Sequence, residues 1–203
     1  MGLTLIVGPM KSGKSLELIA RVAPYEFAHK KVLYVQSNRD VRDQEGIITS
    51  RAGINTKATR VASLGEVKNN VDVIGIDEVH MFDEDDARFV QKWLKKGKEV
   101  FASGLDLDYS ATITPMVKRL LELKPERVIT KTSVCEACHE YRALFTQILY
   151  RGRPVLGGLP PIVPEDGTYV YQARCRDCYQ HPAYTNKIKQ RGLWVSQEAP
   201  SRA

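Results

Sequence analysis

Along the chain, apolar runs of strand length alternate with stretches whose apolar residues recur every three or four positions. The runs are Leu3–Val7, Val32–Gln36, Val71–Ile76, Glu99–Ser103 and Arg127–Lys131. Each is rich in β-branched residues and lacks a polar alternate face, which predicts strands covered on both sides of a parallel sheet. Between them, Ser12–Ala28 reads as a helix with Leu16, Ile19, Ala20 and Ala23 on its apolar face. Glu84–Lys96 reads as a second, carrying Ala87, Val90 and Leu94, and Pro115–Leu123 as a third, with Pro115 suited to its first turn. This alternation predicts an α/β fold around a parallel sheet with right-handed crossovers.

Around Lys131–Thr132 the pattern changes. The chain beyond is rich in Gly, Pro, Cys and Tyr, and the stretch RGRPVLGGLPPIVPEDG from Arg151 reads as a long loop rather than a layer of the sheet. The expected organisation is a main domain over 1–131, a small second domain over 132–185 and a polar tail over 186–203.

The 203 residues suffice to bury a core, and no run of 18 apolar residues exists to cross a membrane. The N-terminus has no basic region ahead of a long apolar stretch, so the expectation is a cytoplasmic protein without a targeting segment or membrane partner. The formal charge is +6. The charges are scattered rather than gathered in one stripe, which fits an anionic ligand better than nucleic acid.

Candidate chemistry begins at Gly8-Pro9-Met10-Lys11-Ser12-Gly13-Lys14-Ser15, directly after the first strand and at the start of the first helix. Glycines at 8 and 13 let backbone amides turn toward phosphate oxygens; Lys14 can reach the β- and γ-phosphates, and the Ser15 hydroxyl can ligate Mg²⁺. This loop predicts binding of a nucleoside triphosphate. The strand VDVIGIDEVHMF ends in Asp77-Glu78, where an acidic group can position Mg²⁺ and its neighbour is free to act as a base. The four cysteines form two pairs, Cys135-x2-Cys138 and Cys175-x2-Cys178. In a cytoplasmic chain this spacing predicts one tetrahedral Zn²⁺ with every position filled by protein, hence a structural metal pinning the base of a long loop. His29, His139 and His181 have no assigned role.

Together these features resemble the cellular-type (type II) thymidine kinases over about residues 1–180. GPMKSGKS looks like that family's phosphate loop, including Met10 that touches the nucleoside. The segment from Asp40 resembles the family's D-x-R, which makes Arg42 a phosphate clamp. IDEVHMF is similar to I-D-E-x-Q-F-F, which makes Glu78 the catalytic base, with Met81 beside the nucleoside. GLDLDY, the Thr-Gln after the first cysteine pair, and GTYVYQARC place Leu105, Tyr109, Thr146 and Tyr171 around the acceptor. The resemblance implies a P-loop (RecA-like) sheet with a zinc-containing lasso domain and ATP- and Mg²⁺-dependent phosphorylation of thymidine. It also implies a homotetramer and feedback inhibition by dTTP.

The chain departs from the family pattern at Lys11, where Phe is usual, and at His80-Met81, which replace Gln-Phe. Met116 follows Pro115 where an aromatic is usual. Two flexible methionines in place of rings predict softer acceptor walls and a weaker preference for thymidine over deoxyuridine. Two rival readings share the phosphate loop: a nucleic-acid-dependent ATPase with a zinc ribbon, and a degenerate kinase-like protein that binds nucleotides without turnover.

Overall fold

The computed structural model describes residues 2–41, 46–68, 70–163 and 167–182. Its elements in chain order are β1 (Leu3–Val7), α1 (Lys14–Phe27), β2 (Val32–Ser37), β3 (Ile47–Thr49), β4 (Asn55–Lys57), β5 (Thr59–Val61), β6 (Val73–Ile76), α2 (Ala87–Lys95), β7 (Glu99–Gly104), α3 (Pro115–Glu122), β8 (Arg127–Thr130), β9 (Phe145–Tyr150), β10 (Arg153–Pro154) and β11 (Val170–Arg174). Six strands form one sheet in the order β5-β2-β6-β7-β1-β8, and every pairing is parallel.

The α/β expectation therefore holds, and its cause is visible in the alternation of side chains. Leu3, Leu5, Val7, Ile74, Ile76, Val100 and Ala102 face one core with α2 and α3, among them Trp93, Met116 and Leu120. The intervening Ile6, Tyr34, Val73 and Phe101 face the other, under Leu18, Ile19 and Val22 of α1. Each fully buried aliphatic side chain contributes about 1.5–3 kcal/mol, so both faces supply driving force. At the edge, β8 departs from the expectation of two covered faces: Arg127, Val128 and Thr130 are exposed. A strand with a single neighbour is shielded on one side only.

The buried stripe of α1 differs from the predicted one. Leu18, Ile19 and Val22 are buried and Ala20 is exposed. The phosphate loop decides this: Lys14 is also buried and points back at the loop, so residues four and eight positions on share its face. In α2 the same kind of shift puts Trp93 inside, with Leu94 only half-buried. That helix begins later than predicted, after a 3₁₀ turn over Glu84–Asp86.

Sequence patterning does not reveal the edge strand β5, the β3–β4 hairpin or a three-stranded antiparallel sheet, β10-β9-β11. Their strands are mostly of two or three residues, too short for a period to register. The chain leaves the large sheet at Lys131, whose N–H donates to Val7 C=O at 2.7 Å. Its carbonyl then presses on Gly8, where a Cβ would lie 2.4 Å away.

Candidate active site

The carboxyl ends of β1, β6 and β7 lie side by side, and the chemistry collects there, as in open parallel sheets generally. At the end of β1 the chain turns through Gly8–Gly13 into α1. Gly13 is left-handed (φ 78°) and so is Lys11 (φ 60°). Pro9 C=O accepts from Ser12 Oγ at 2.8 Å and from the buried Lys14 Nζ at 2.7 Å. The loop is thus held in a cradle by its own side chains.

Asp77 directly follows β6 and is 2% exposed. Its carboxylate accepts from Ser15 Oγ at 2.9 Å and from Ser103 Oγ of β7. Glu78, also buried, takes a left-handed backbone (φ 45°), a conformation that costs a non-glycine residue about 1–2 kcal/mol. The turn swings its side chain off the strand direction. Glu78 Oε2 then lies 3.3 Å from His80 Nδ1, which accepts from the Leu105 N–H at 3.3 Å.

Two cavities meet at this corner. The larger, about 320 Å³, is lined by Met10–Leu16, by Thr49, Ser50 and Arg51 beside the β3–β4 hairpin, and by Asp77 and Glu78. The smaller, about 30 Å³, includes Met10, Glu78, His80, Met81, Leu105, Tyr109, Thr146 and Tyr171 in its wall. Met10 and Glu78 line both. The six acceptor-side residues expected from the sequence, Met10, Met81, Leu105, Tyr109, Thr146 and Tyr171, thus converge on one space. Gly8 and Pro9 shape the loop from behind instead of lining it. Arg42 lies outside the described residues. Met116 is a correction: it is fully buried in the core with Val79 and Phe82, not in the acceptor wall. The first turn of α3 points it inward.

Ile148, which stands where the family pattern has Arg after Thr-Gln, also lines the smaller cavity, as does the stretch Pro161–Val163, which carries no sequence signal of its own. That stretch is pinned by tyrosines, with Tyr171 OH donating to Val163 C=O at 2.8 Å. Asp106 is the first acidic residue of the GLDLDY motif, to which the sequence assigns no role. Burial raises its carboxyl above the ordinary range, against the opposing pull of the Asp106 and Leu107 N–H groups and of Lys14.

The four cysteine sulfurs lie within 4.8 Å of one another, and Cys138 Sγ is 3.8 Å from Cys175 Sγ. Four sulfurs at the usual Zn–S distance stand about 3.8 Å apart on a tetrahedron, so the set fits zinc; a disulfide needs about 2 Å. Burial pushes the Cys135 thiol up, but the N–H groups of Cys138, Cys175 and Ala137 more than reverse this and bring it to about 6. Burial, then the thiol protons shared with Cys175, Cys138 and Cys135, push Cys178 up to about 12. Crowded sulfurs ionise one at a time without a cation to balance them.

A family model described as thymidine kinase matches residues 1–179. The thymidine kinase of Chloroflexus aurantiacus is 36% identical over 182 residues, covering 87% of this chain and 93% of that protein. That of Pseudothermotoga lettingae is 32% identical over 188 residues, covering 91% and 97%. That of Mesoplasma florum is 34% identical over 185 residues, covering 87% and 90%. A loop built for phosphate, an acidic strand end and a four-cysteine cluster thus come with likeness along most of the chain, which belongs to the thymidine kinase family.

Proposed function

We propose that this protein transfers the γ-phosphoryl group of ATP to the 5′-hydroxyl of thymidine. The observation that carries the reading is Glu78, which lines the phosphate-loop cavity and the smaller cavity alike. A carboxylate at that junction can accept the hydroxyl proton as the oxygen attacks phosphorus. Glu78 is the base in this reading. Lys14, on arrival of the triphosphate, exchanges Pro9 C=O for phosphate oxygens and balances charge on the group in transfer. The backbone amides of 10–14 hold the β-phosphate, and Arg42 serves as a further phosphate clamp.

Ser15 and Asp77 offer the oxygen ligands that Mg²⁺ prefers and would hold it there. Bound Mg²⁺ neutralises charge across the β- and γ-phosphates. Tyr109 and Tyr171 orient the segment over the base, Thr146 joins the acceptor wall beside Met10, and exclusion of water by that segment favours transfer over hydrolysis. At about 30 Å³ the acceptor cavity is too small for a nucleoside, so the covering stretch moves to admit one. Cys135, Cys138, Cys175 and Cys178 would hold a structural Zn²⁺ that fixes the base of the segment.

The same reading takes 132–185 as a lasso domain and the protein as a cytoplasmic homotetramer inhibited by dTTP. Among the described residues no helix is long and apolar enough to cross a membrane. ATP consumption measured with each single nucleoside, and with single-stranded DNA, tests the function. Turnover with thymidine is expected. Turnover with DNA alone would favour the ATPase reading, and binding without turnover the degenerate one. Light scattering with and without dTTP checks the assembly.

A further inference from the structure

Behind the two cavities, one ion pair ties the phosphate loop to the cysteine cluster. Lys11 Nζ lies 2.6 Å from Glu136 Oε2, with the side chains 34% and 28% exposed. Glu136 is itself fixed to β11: its Oε1 accepts from Ala173 N–H at 2.8 Å, and its own N–H donates to Ala173 C=O at 2.9 Å. Two further bonds seize the loop at the same place. Met10 N–H donates to Thr146 Oγ1 of β9 at 3.1 Å, and Ser133 Oγ donates to Lys11 C=O at 3.0 Å. The Lys11 backbone holds this position at the cost of a left-handed φ of 60°.

The two residues so gripped, from Met10 N–H at one end to Lys11 C=O at the other, are Met10, which lines both cavities, and Lys11, which lines only the larger. Any shift of the small sheet relative to the large one is therefore delivered to the phosphate loop at its crown. We propose that Lys11 and Glu136 form a positioning latch that sets the triphosphate loop in register with the acceptor cavity, so that filling one cavity alters the other. This deepens the proposed function and rests on its assignment of the two cavities. The pair acts through the backbone of Met10 and Lys11 and touches no reacting atom.

The test uses the full chain with K11M, E136Q, the double variant and K11R. E136Q keeps an oxygen for Ala173 N–H and replaces the carboxylate oxygen that faces Lys11 with an amide NH2, removing both the charge and the acceptor; K11M leaves the cysteine turn untouched. Each single variant should lower kcat about tenfold and weaken the mutual enhancement of ATP and thymidine binding, with thymidine affinity in the absence of ATP nearly unchanged. The double variant should fall no further than either single, and K11R should stay near wild type. Additive losses would overturn the latch. So would ATP affinity that falls in K11M but rises in E136Q, because Lys11 would then be a phosphate ligand for which Glu136 competes. Equilibrium ATP binding needs no turnover, so this comparison stands even if thymidine is not the acceptor.

Discussion

Tyr109 holds the main chain of Leu159 by both ends of its hydroxyl, donating to Leu159 C=O at 2.9 Å and accepting from Leu159 N–H at 3.1 Å. Its backbone C=O in turn accepts from Tyr179 OH at 2.6 Å. One residue on the loop after β7 thus anchors the covering segment and the chain beyond the second cysteine pair. Tyr109→Phe keeps the ring and removes both bonds to Leu159. Thymidine KM should rise about tenfold with ATP KM little changed, because the segment loses its fixed closed position. Steady-state kinetics in both substrates would show it, and an unchanged thymidine KM would remove Tyr109 from that role.

Glu78→Gln should keep ATP affinity and lose at least about a hundredfold in phosphoryl transfer, since an amide fills the same space but accepts no proton. The comparison is of initial rates against equilibrium nucleotide binding. Retention of most of the rate would take the base role away from Glu78.

Much of this site is legible in the sequence because its residues are contiguous. Gly8–Ser15 is one loop, Asp77-Glu78 one strand end, and each cysteine pair one turn. The illegible part is assembled across distance. Pro161–Val163 reach the acceptor cavity only because Tyr171 and Tyr109 hold that segment down, and no local pattern encodes such a tie. The face of α1 differs from its pattern for a related reason: the buried Lys14 sets its rotation, whereas hydrophobic spacing alone allows a neighbouring stripe. Met116 resembles a pocket residue by its place after Pro115, and only the turn of α3 assigns it to the core.

Metal analysis of protein purified without an affinity tag should give about one Zn²⁺ per chain, held by the four cysteines. Cys135→Ser should lower that stoichiometry and loosen the β9–β11 sheet, seen as faster amide exchange there. Zinc-free protein with normal protection and activity would refute a structural metal.

With Met116 in the core, Met81 is the methionine that stands in place of an aromatic ring at the smaller cavity, the proposed acceptor site. Thymidine and deoxyuridine should differ in kcat/KM by less than about two orders of magnitude, and purine deoxynucleosides should scarcely react. Met81→Phe should widen the thymidine preference by up to about tenfold, as a rigid ring replaces a flexible thioether. Met116→Phe should instead destabilise the fold by about 1–3 kcal/mol through overpacking. Competition assays and denaturant unfolding separate the two effects.

Lys131 Nζ lies 3.0 Å from Glu17 Oε2, and Glu17 Oε1 accepts from Arg21. The hydrogen bond from Lys131, opposed by burial and aided by Arg21, holds the Glu17 carboxyl below its ordinary 4.5. Stability from this pair is therefore present above that value and disappears as pH falls through the lowered one. Glu17→Gln should cost about 0.5–1 kcal/mol at about pH 7, and the difference should vanish at an acid pH below the lowered value. Denaturant midpoints at both pH values measure it.

Gly8 answers to two masters. Phosphate binding asks for a bare backbone at the head of the loop, and the Lys131 carbonyl leaves no space for a Cβ at the same spot. A descendant of this chain that abandoned catalysis would still be obliged to keep that glycine, because the seam where the chain departs the large sheet depends on it. A Gly8 retained in such a descendant would record how the chain is folded, and Lys14 and Ser15 are the positions whose loss would betray a dead enzyme.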